Sequence, residues 1–426
     1  MPVINALSSD ESFGFEALRA AGHSNYGGSD IAECLAICSR IRPGNLDEWM
    51  REWSRAGDRA ARNGSRSASV KNTVSAYEAF LRASTYYRTA EFFCREDPFH
   101  DEVGKRLVDQ SVDAFREAMK YCGLCVLEDV KIPYEETTLP ALMYKPPVNA
   151  PLPFGREDRS ERRPTIIVNS GYDSTKEEAW TSLAAAGVAR GFNVLAFEGP
   201  GQGAALREQR LFFRPDWEKV LVPVVNYAVK QRRDVDGDAL FICGESMGAY
   251  LVARGATVEH RARALIFNDG LYDFSSCLNG KLPFFLRYLI DNGYDSMADR
   301  LFAWGKAEST GNRWALDNGK WTFGVTSEAE LVRRYREYTL EGRADQIVTP
   351  CLILNPEIDH FFTNQASVLR EHLHNCETEF VTFTQEDGSE THCHQGASAR
   401  LNEVIFDYIA EKLAEGDKPA EGAKRP

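Results

Sequence analysis

Short apolar runs alternate with helix-like segments through most of this 426-residue chain, and no other feature narrows the possible folds as much. The runs are rich in Val, Ile, Leu and Phe, and more polar helical segments follow several of them. Strands that alternate with helices in this way predict a mostly parallel sheet covered by helices on both faces, which is an α/β fold. The predicted strands lie at 164–171, 193–199, 239–245, 262–269, 351–359 and 379–385.

Two long segments stand apart from this alternation. Residues 1–125 repeat apolar residues at three-to-four spacing and predict an amino-terminal helical domain. Residues 270–349 are rich in aromatic residues, and a structureless loop of that length is uncommon in a compact domain. We therefore expect a helical lid over the carboxyl ends of the strands, with ordinary packing helices as the alternative. The sheet domain then comprises 126–269 and 350–414, and residues 415–426 predict a disordered tail.

Charge, hydropathy and cysteine content limit the partners. A net charge of -13 argues against a nucleic-acid surface. No apolar run approaches the ~20 residues that span a bilayer, and the first residues do not resemble a signal peptide, so we expect a cytoplasmic protein without a membrane span. The ten cysteines are then expected to be reduced. The C-x-x-C at Cys122 and Cys125 is expected to be buried thiols, and no metal or organic cofactor is predicted.

The predicted strand at 239–245 leads into the sequence Gly244-Glu245-Ser246-Met247-Gly248. The pattern G-x-S-x-G is typical of the sharp strand-to-helix turn of α/β-hydrolases, which exposes a serine hydroxyl above the sheet. Glycines on either side leave room for such a turn. Ser246 is therefore the predicted nucleophile, although an isolated match could arise by chance and needs partners elsewhere in the chain.

A serine nucleophile needs a base to accept its proton, and in this fold the base follows last along the chain. His392 lies in the loop after the last predicted strand and is the preferred candidate. His394 is the alternative, but we expect it in the first turn of the following helix. His372 and His374 are placed on an earlier helix, where a solvated or structural role is expected.

An acid must in turn orient the base. Asp359 follows the predicted strand at 351–359 with suitable spacing and is chosen. Asp269 and Asp273, which follow an earlier strand, are the alternatives, and Glu357 is assigned a structural role.

Two backbone N–H groups should form an oxyanion hole. One is expected from Met247, and the other from Gly171 or Tyr172 in the loop after the first parallel strand. The segment at 197–203, FEGPGQG, lacks the residues of a phosphate-binding loop. We expect it to form a tight turn at the pocket floor, with Glu198 buried nearby.

Several stretches of the chain together resemble a group of α/β-hydrolases that includes fungal polyketide-shortening pigment hydrolases and a bacterial dihydropseudooxynicotine hydrolase. These stretches are SGYDSTKEE, FEGPGQG, GESMGAY, NPEIDHFF and THCHQGA, with DEWMREW and SAYEAFLRASTYYRTAEFF in the helical half. The resemblance implies a catalytic triad of Ser246, Asp359 and His392. It also implies that Glu177 contacts the substrate. We assign Tyr172 to the same substrate pocket. The alternative for Glu177 and its neighbour Glu178 is that they complement a helix dipole.

The same resemblance implies an activity. It is the hydrolysis of a carbon–carbon bond next to a ketone in a polyketide or aryl β-diketone-like substrate, through an acyl-enzyme and without a cofactor, in the biosynthesis of a pigment or other secondary metabolite. Relatives of this kind also include esterases, acyltransferases and cyclases, and these alternatives stay open. A non-catalytic binding protein is disfavoured by the intact triad. The resemblance also implies a homodimer, formed through the helical region.

Overall fold

The amino-terminal part of the protein is a layer of helices. The computed structural model describes residues 3–155, 162–278 and 281–417. Each of the first five helices begins directly after an Asp or Asn whose side chain accepts a backbone N–H of the first turn, which is a favourable cap. They are α1 (Glu11–Gly22), α2 (Ile31–Cys38), α3 (Leu46–Ser69), α4 (Thr73–Glu91) and α5 (Glu102–Tyr121).

The centre of the molecule is one eight-stranded sheet with the order β1-β2-β4-β3-β5-β6-β7-β8. β1 and β2 form an antiparallel hairpin, β2 pairs antiparallel with β4, and the remaining neighbours are parallel. The predicted α/β class is therefore confirmed. The strands are β1 (Val126–Tyr134), β2 (Thr137–Lys145), β3 (Arg163–Asn169), β4 (Asn193–Phe197), β5 (Val235–Glu245), β6 (Ala264–Asn268), β7 (Cys351–Pro356) and β8 (Thr378–Phe383).

Helices cover both faces of this sheet, as the apolar character of its strands requires. Side chains of α8 (Glu218–Asn226) and α9 (Met247–Ala256) pack on one face, in the same core cluster as Ile167 and Ile242. Side chains of α6 (Ala185–Ala189) and α15 (Ser398–Asp417) pack on the other face. Two further helices, α7 (Gly203–Gln209) and α14 (Gln365–His372), lie in connections between strands.

The connection between β6 and β7 is helical. Its buried side chains, which include Leu286, Phe302 and Leu316, join the core cluster that contains α8 and α9. Among the described residues, we find no helix that is both long enough and apolar enough to span a bilayer. The helices of this connection are α10 (Phe284–Asp291), α11 (Asp295–Glu308), α12 (Thr310–Phe323) and α13 (Glu328–Tyr335).

Three local predictions differ from the structure. α14 ends at His372, so that His374 lies outside the helix and pairs with Asp345. His394 is not in the first turn of α15, because that helix begins at Ser398. α15 also continues to Asp417, into the segment predicted as a disordered tail, and the rest of that segment lies outside the described residues.

Candidate active site

Ser246 lies at the sharp turn between β5 and α9, with backbone angles φ 58° and ψ -128°. A non-glycine residue with positive φ is strained, so the surrounding structure must hold it. The flanking glycines explain how the turn fits: a Cβ on Gly248 would lie 2.1 Å from the carbonyl oxygen of Asn169, and one on Gly244 would lie 2.3 Å from that of Gly248. The Ser246 N–H donates to the Asn268 carbonyl at 2.9 Å.

The imidazole of His392 is hydrogen-bonded to this serine. Its Nε2 lies 2.8 Å from Ser246 Oγ. On the opposite side of the ring, Nδ1 lies 3.0 Å from Oδ2 of Asp359 and 2.5 Å from Oδ2 of Asp269. The predicted base thus contacts the predicted nucleophile, the predicted acid and the first alternative acid at once.

Backbone N–H groups hold both carboxylates in place. Oδ1 of Asp359 accepts from the N–H groups of Phe361 and Phe362, at 2.7 and 3.1 Å. Asp269 has a positive φ of 67°, and its Oδ2 accepts from the N–H of Cys393 at 2.5 Å. β6 and β7 are parallel neighbours, so the residues that follow them meet at one edge of the sheet.

The other candidate acids lie elsewhere. Asp273 caps the short helix Phe274–Cys277 by accepting from the N–H of Ser275 at 2.8 Å. Glu357 accepts from the N–H of Gln385 at 2.6 Å, which agrees with its predicted structural role.

Electrostatics favour an ion pair between the base and its acids. Burial lowers the pKa of His392, but the carboxylates of Asp359 and Asp269 outweigh burial and raise it well above its ordinary value. Burial raises the pKa of Asp359, but His392 outweighs burial and holds that pKa at about 2. Phe361 and Phe362 pack against the His392 ring, with centroids 4.9 and 5.6 Å away. The site is therefore suited to stabilising an imidazolium.

His394 is fully buried and does not reach the serine. Its Nδ1 faces the Ser389 carbonyl at 3.1 Å, and its ring stacks on Phe383. Ligand atoms of Asp269, His392 and Cys393 lie within 4.8 Å of one another. The His392–Asp269 hydrogen bond already engages two of these groups. Burial raises the pKa of the Cys393 thiol, which disfavours the thiolate that a metal would need. Hydrogen bonding therefore accounts for this cluster.

The loop after β3 passes directly against the nucleophile. A Cβ on Gly171 would lie 2.9 Å from Ser246 Cβ and 3.2 Å from the backbone nitrogen of Met247. The Gln202 side chain fixes this loop, because its Nε2 donates to the carbonyls of Ser170 and Gly171 at 2.5 and 2.8 Å. The predicted oxyanion residues Gly171 and Met247 are thus adjacent. Gln202 is a positioning residue that we did not predict, although it lies in the FEGPGQG segment.

The next residue of the loop, Tyr172, lines the cavity above the serine. Its hydroxyl lies 2.6 Å from that of Tyr335 and donates to the Ala315 carbonyl at 3.0 Å, so it links the loop to α12 and α13.

Glu177 does not line the cavity that contains Ser246. Its carboxylate pairs with Lys176 Nζ at 3.0 Å and borders a smaller, separate cavity. The substrate contact predicted for Glu177 is therefore not supported, because the side chain of Glu178 faces the cavity instead. Glu198 is buried as predicted, and it accepts from the Lys176 and Ala204 backbone N–H groups at 3.1 and 2.9 Å.

Glu178 belongs to a buried ionic network that ties α1 to the oxyanion loop. Arg19 donates to both carboxylate oxygens of Glu178 at 2.7 Å, to Asp173 at 2.8 Å and to Ser174 Oγ at 2.8 Å. Arg88 of α4 binds the same oxygen of Asp173 at 2.9 Å. Burial raises the pKa of Glu178, but the two arginines outweigh burial and lower it well below its ordinary value. The amino-terminal helices therefore help to build the site, which no local sequence pattern indicated.

Ser246 and His392 open into a cavity of about 570 Å³ with two chemically different ends. The apolar end is lined by residues of the connection between β6 and β7, and its leucines belong to the core on the α8–α9 side of the sheet. The polar end lies on the α6–α15 side of the sheet. The apolar end includes Leu282, Leu286, Phe302, Trp314 and Leu316, and the polar end includes His23, Glu178, Ser182, Glu245 and Ser398.

Comparison with known proteins identifies the family of this chain. The model of the alpha/beta hydrolase family matches residues 166–403. The chain is 31% identical to Hydrolase acrC of Aspergillus aculeatus over 82% of this chain and 83% of that protein. It is also 31% identical to 20-hydroxy-prefusarin hydrolase FUS2 of Gibberella moniliformis, over 82% and 83% of the two chains.

Among solved structures, the 2,6-dihydroxy-pseudo-oxynicotine hydrolase superposes with a TM-score of 0.70 at 19% identity, over 94% of this chain and 97% of that chain. AbyA5 superposes with a TM-score of 0.59 at 17% identity, over 91% and 94%. These similarities extend beyond the sheet into the amino-terminal helices. Together with the family match, they show that the chain belongs to the alpha/beta hydrolase family.

Proposed function

We propose that this chain is a serine hydrolase that cleaves a carbon–carbon bond next to a ketone, by a retro-Claisen route, in a polyketide or aryl β-diketone-like substrate. The observation that supports it most is the 2.8 Å contact between Ser246 Oγ and His392 Nε2, at a strained turn facing a largely apolar cavity. A nucleophile, a base and an acid within hydrogen-bond reach are what acyl transfer requires.

In the first half of the reaction, His392 Nε2 takes the proton of Ser246 while Oγ bonds to the substrate carbonyl carbon. The N–H groups of Met247 and of Gly171 or Tyr172 stabilise the oxyanion. The carbon–carbon bond then breaks, and its electron pair goes to the leaving fragment as an enolate. His392 returns its proton to the carbon of that enolate, which leaves an acyl group on Ser246.

In the second half, a water molecule gives a proton to His392 and attacks the acyl carbon. The bond from that carbon to Ser246 Oγ breaks, and the serine recovers its proton from His392. The products are a carboxylic acid and a ketone. Asp359 and Asp269 stabilise the imidazolium in both halves, which agrees with the raised pKa of His392.

The cavity supports an aromatic or otherwise apolar acyl part. Aromatic side chains on several elements border it, including Phe274, Trp314, Tyr335, Phe361 and Phe362. The names of two similar proteins also refer to hydrolysis of small molecules, 20-hydroxy-prefusarin and 2,6-dihydroxy-pseudo-oxynicotine. A substrate of this size fits a cavity of about 570 Å³.

The test is product analysis in ¹⁸O-water. The purified protein is offered an acylated naphthopyrone or a linear aryl β-diketone, and beside it a simple aryl ester, with Ser246→Ala as the control. We expect two fragments from the diketone, with the label in the acid alone, and no turnover by the variant. Cleavage of the ester alone would replace the proposal with an esterase, and an unlabelled ring-closed isomer would replace it with a cyclase.

We also propose that the chain forms a homodimer, as the resemblance implies, and that it acts in the cytoplasm, as predicted from the sequence. Light scattering should then give a mass twice the 47.8 kDa of one chain. A mass of one chain at micromolar concentration would contradict the dimer, and a tagged copy found outside the cytoplasm would contradict the location.

A further inference from the structure

Glu245 directly precedes the nucleophile and is not used in the reaction described above. It is the last residue of β5, and it lines the same cavity as Ser246. Side chains alternate along a strand, and Phe241 and Cys243 of β5 pack into the core that contains Trp180 and Leu401. Glu245 continues that face of β5, so its carboxyl group lies at the polar end of the cavity.

Among the residues that the structure describes, we find no cation that forms an ion pair with Glu245. Arg19 pairs with Glu16, Asp173 and Glu178, which engage all of its nitrogens. Ser182 also acts on the Glu245 carboxyl group, and Glu178 adds a negative charge nearby. The remaining titratable groups that face it are the thiols of Cys243 and Cys393 and the rings of His23, His392 and His394, which border the same end of the cavity or pack beneath it.

These surroundings favour the protonated carboxyl group. Burial is the main cause that raises the pKa of Glu245, to about 7, and Glu178 adds to the rise, whereas Ser182 and Arg19 lower the pKa. His23 adds no positive charge at neutral pH, because burial lowers its pKa to about 4. At neutral pH a large share of the molecules therefore carries an O–H donor beside Ser246, within the cavity.

We propose that the carboxyl group of Glu245 donates a hydrogen bond to the ketone oxygen of the leaving fragment, and that the polar end of the cavity is the leaving-group subsite. This inference rests on the proposed carbon–carbon cleavage. When that bond breaks, its electron pair makes an enolate, and the negative charge on the enolate oxygen needs a donor. The apolar end is lined by hydrocarbon side chains such as Leu282, Leu286 and Leu316, and it suits the acyl fragment instead.

No net proton is lost or gained at Glu245. The carboxyl group keeps its proton throughout and only shares it with the enolate oxygen. The proton that ends on the enolate carbon is the one that His392 took from Ser246. The preferred substrate class is therefore a β-dicarbonyl compound with an apolar acyl side and a leaving side whose ketone oxygen lies next to Glu245.

The test compares kcat/KM against pH for an aryl β-diketone and an activated aryl ester, because the phenolate of the ester leaves without such a donor. The wild type is compared with Glu245→Gln, which keeps a donor that does not titrate, and with Glu245→Leu, which has none. Circular dichroism and fluorophosphonate labelling of Ser246 show that each variant is folded and has a working nucleophile.

For the wild type, we expect the ratio of diketone to ester cleavage to fall above about pH 7, because both reactions need neutral His392 whereas only diketone cleavage needs protonated Glu245. Glu245→Gln should lose the fall, and Glu245→Leu should lower the ratio of diketone to ester cleavage at least about tenfold. An unchanged pH profile in Glu245→Gln, or an unchanged ratio in Glu245→Leu, would overturn the role of Glu245 alone. Absence of diketone cleavage by the wild type would overturn the proposed function and this inference together.

Discussion

The Nδ1 atom of His392 lies 2.5 Å from Oδ2 of Asp269, closer than the 3.0 Å that separates it from Oδ2 of Asp359. One imidazole N–H therefore lies beside two carboxylates with buried side chains, which come from the ends of neighbouring parallel strands. Either carboxylate can hold the ring in the tautomer that leaves Nε2 free to accept the serine proton.

This arrangement predicts that each acid can partly replace the other in orienting His392. In a triad with a single acid, replacing that acid lowers kcat by about 10⁴-fold. We expect Asp359→Asn or Asp269→Asn alone to lower kcat only about 10- to 100-fold, because the other carboxylate still orients His392, and the double variant to approach about 10⁴-fold. Steady-state hydrolysis of a fluorogenic ester measures all three.

Asp273→Asn is the matched control for these variants, because Asp273 caps a short helix and an asparagine can do the same. Its kcat should stay close to that of the wild type. If one single variant is already as inactive as the double variant, then one acid alone orients His392. That result would contradict the prediction that both acids orient it.

Gly171 should not tolerate a side chain. A Cβ there would lie 2.8 Å from the Glu245 carbonyl oxygen and 2.9 Å from Ser246 Cβ, so Gly171→Ala has to push the oxyanion loop away from the serine. We expect kcat to fall about 100-fold or more, which is typical of a lost oxyanion donor. In the control Gly123→Ala, the added Cβ meets nothing within 4 Å and kcat should not change. Equal kcat values for the two variants would show that the loop is not the oxyanion site.

Arg19 should support both stability and catalysis. Arg19→Met removes one of the two arginines that pair with the buried carboxylates of Glu16, Asp173 and Glu178 among the described residues, and Arg88 remains. An uncompensated buried charge costs about 3–5 kcal/mol, so thermal unfolding should occur at a markedly lower temperature. The remaining folded enzyme should have a lower kcat, because Asp173 and Ser174 are no longer held beside the oxyanion loop.

Arg42→Met removes a solvent-exposed ion pair with Glu48 and is the control for Arg19→Met. It should leave the melting temperature unchanged within error, since exposed pairs contribute little. A melting temperature for Arg19→Met that matches that of Arg42→Met would contradict the structural role of the buried network.

His23 should make the protein less stable in acid. Burial lowers its pKa from the ordinary 6.5 to about 4, so the unfolded chain binds a proton more readily than the folded one between these pH values. Stability therefore falls as the pH drops from 6.5 towards 4. His23→Asn should reduce the slope of unfolding free energy against pH by about 1.4 kcal/mol per pH unit in this window. An identical slope in both proteins, from denaturant titrations at several pH values, would show that His23 does not titrate in this way.

The parts of the site that lie close to strand ends could be predicted from the sequence. Ser246, Asp359 and His392 each follow a recognisable apolar strand, and the fold fixes where those strands end. From the sequence we chose Asp359 and kept Asp269 only as an alternative, because the sequence does not show that β6 and β7 are adjacent. The structure brings both to His392 through that adjacency.

The parts that depend on long-range packing could not be predicted. Arg19 and Glu178 are 159 residues apart, and neither lies in a sequence motif that predicts contact with the other. Glu178 faces the cavity that contains Ser246, whereas its neighbour Glu177 does not. This difference depends on how the chain enters the helix after β3, which the sequence does not show. The turn at His392–His394 also differs from the expected helix start, because Cys393 and His394 adopt positive φ values of 51° and 53°.

The most direct test of the central claim is to trap the acyl-enzyme. The protein is mixed with an aryl β-diketone, quenched in acid within milliseconds to seconds, and digested for mass spectrometry. We predict that the peptide containing Ser246 gains the mass of the acyl fragment before the free acid accumulates, and that Ser246→Ala shows neither the adduct nor any product. Diketone cleavage that continues in Ser246→Ala, without an adduct in the wild type, would contradict the proposal that Ser246 attacks the ketone.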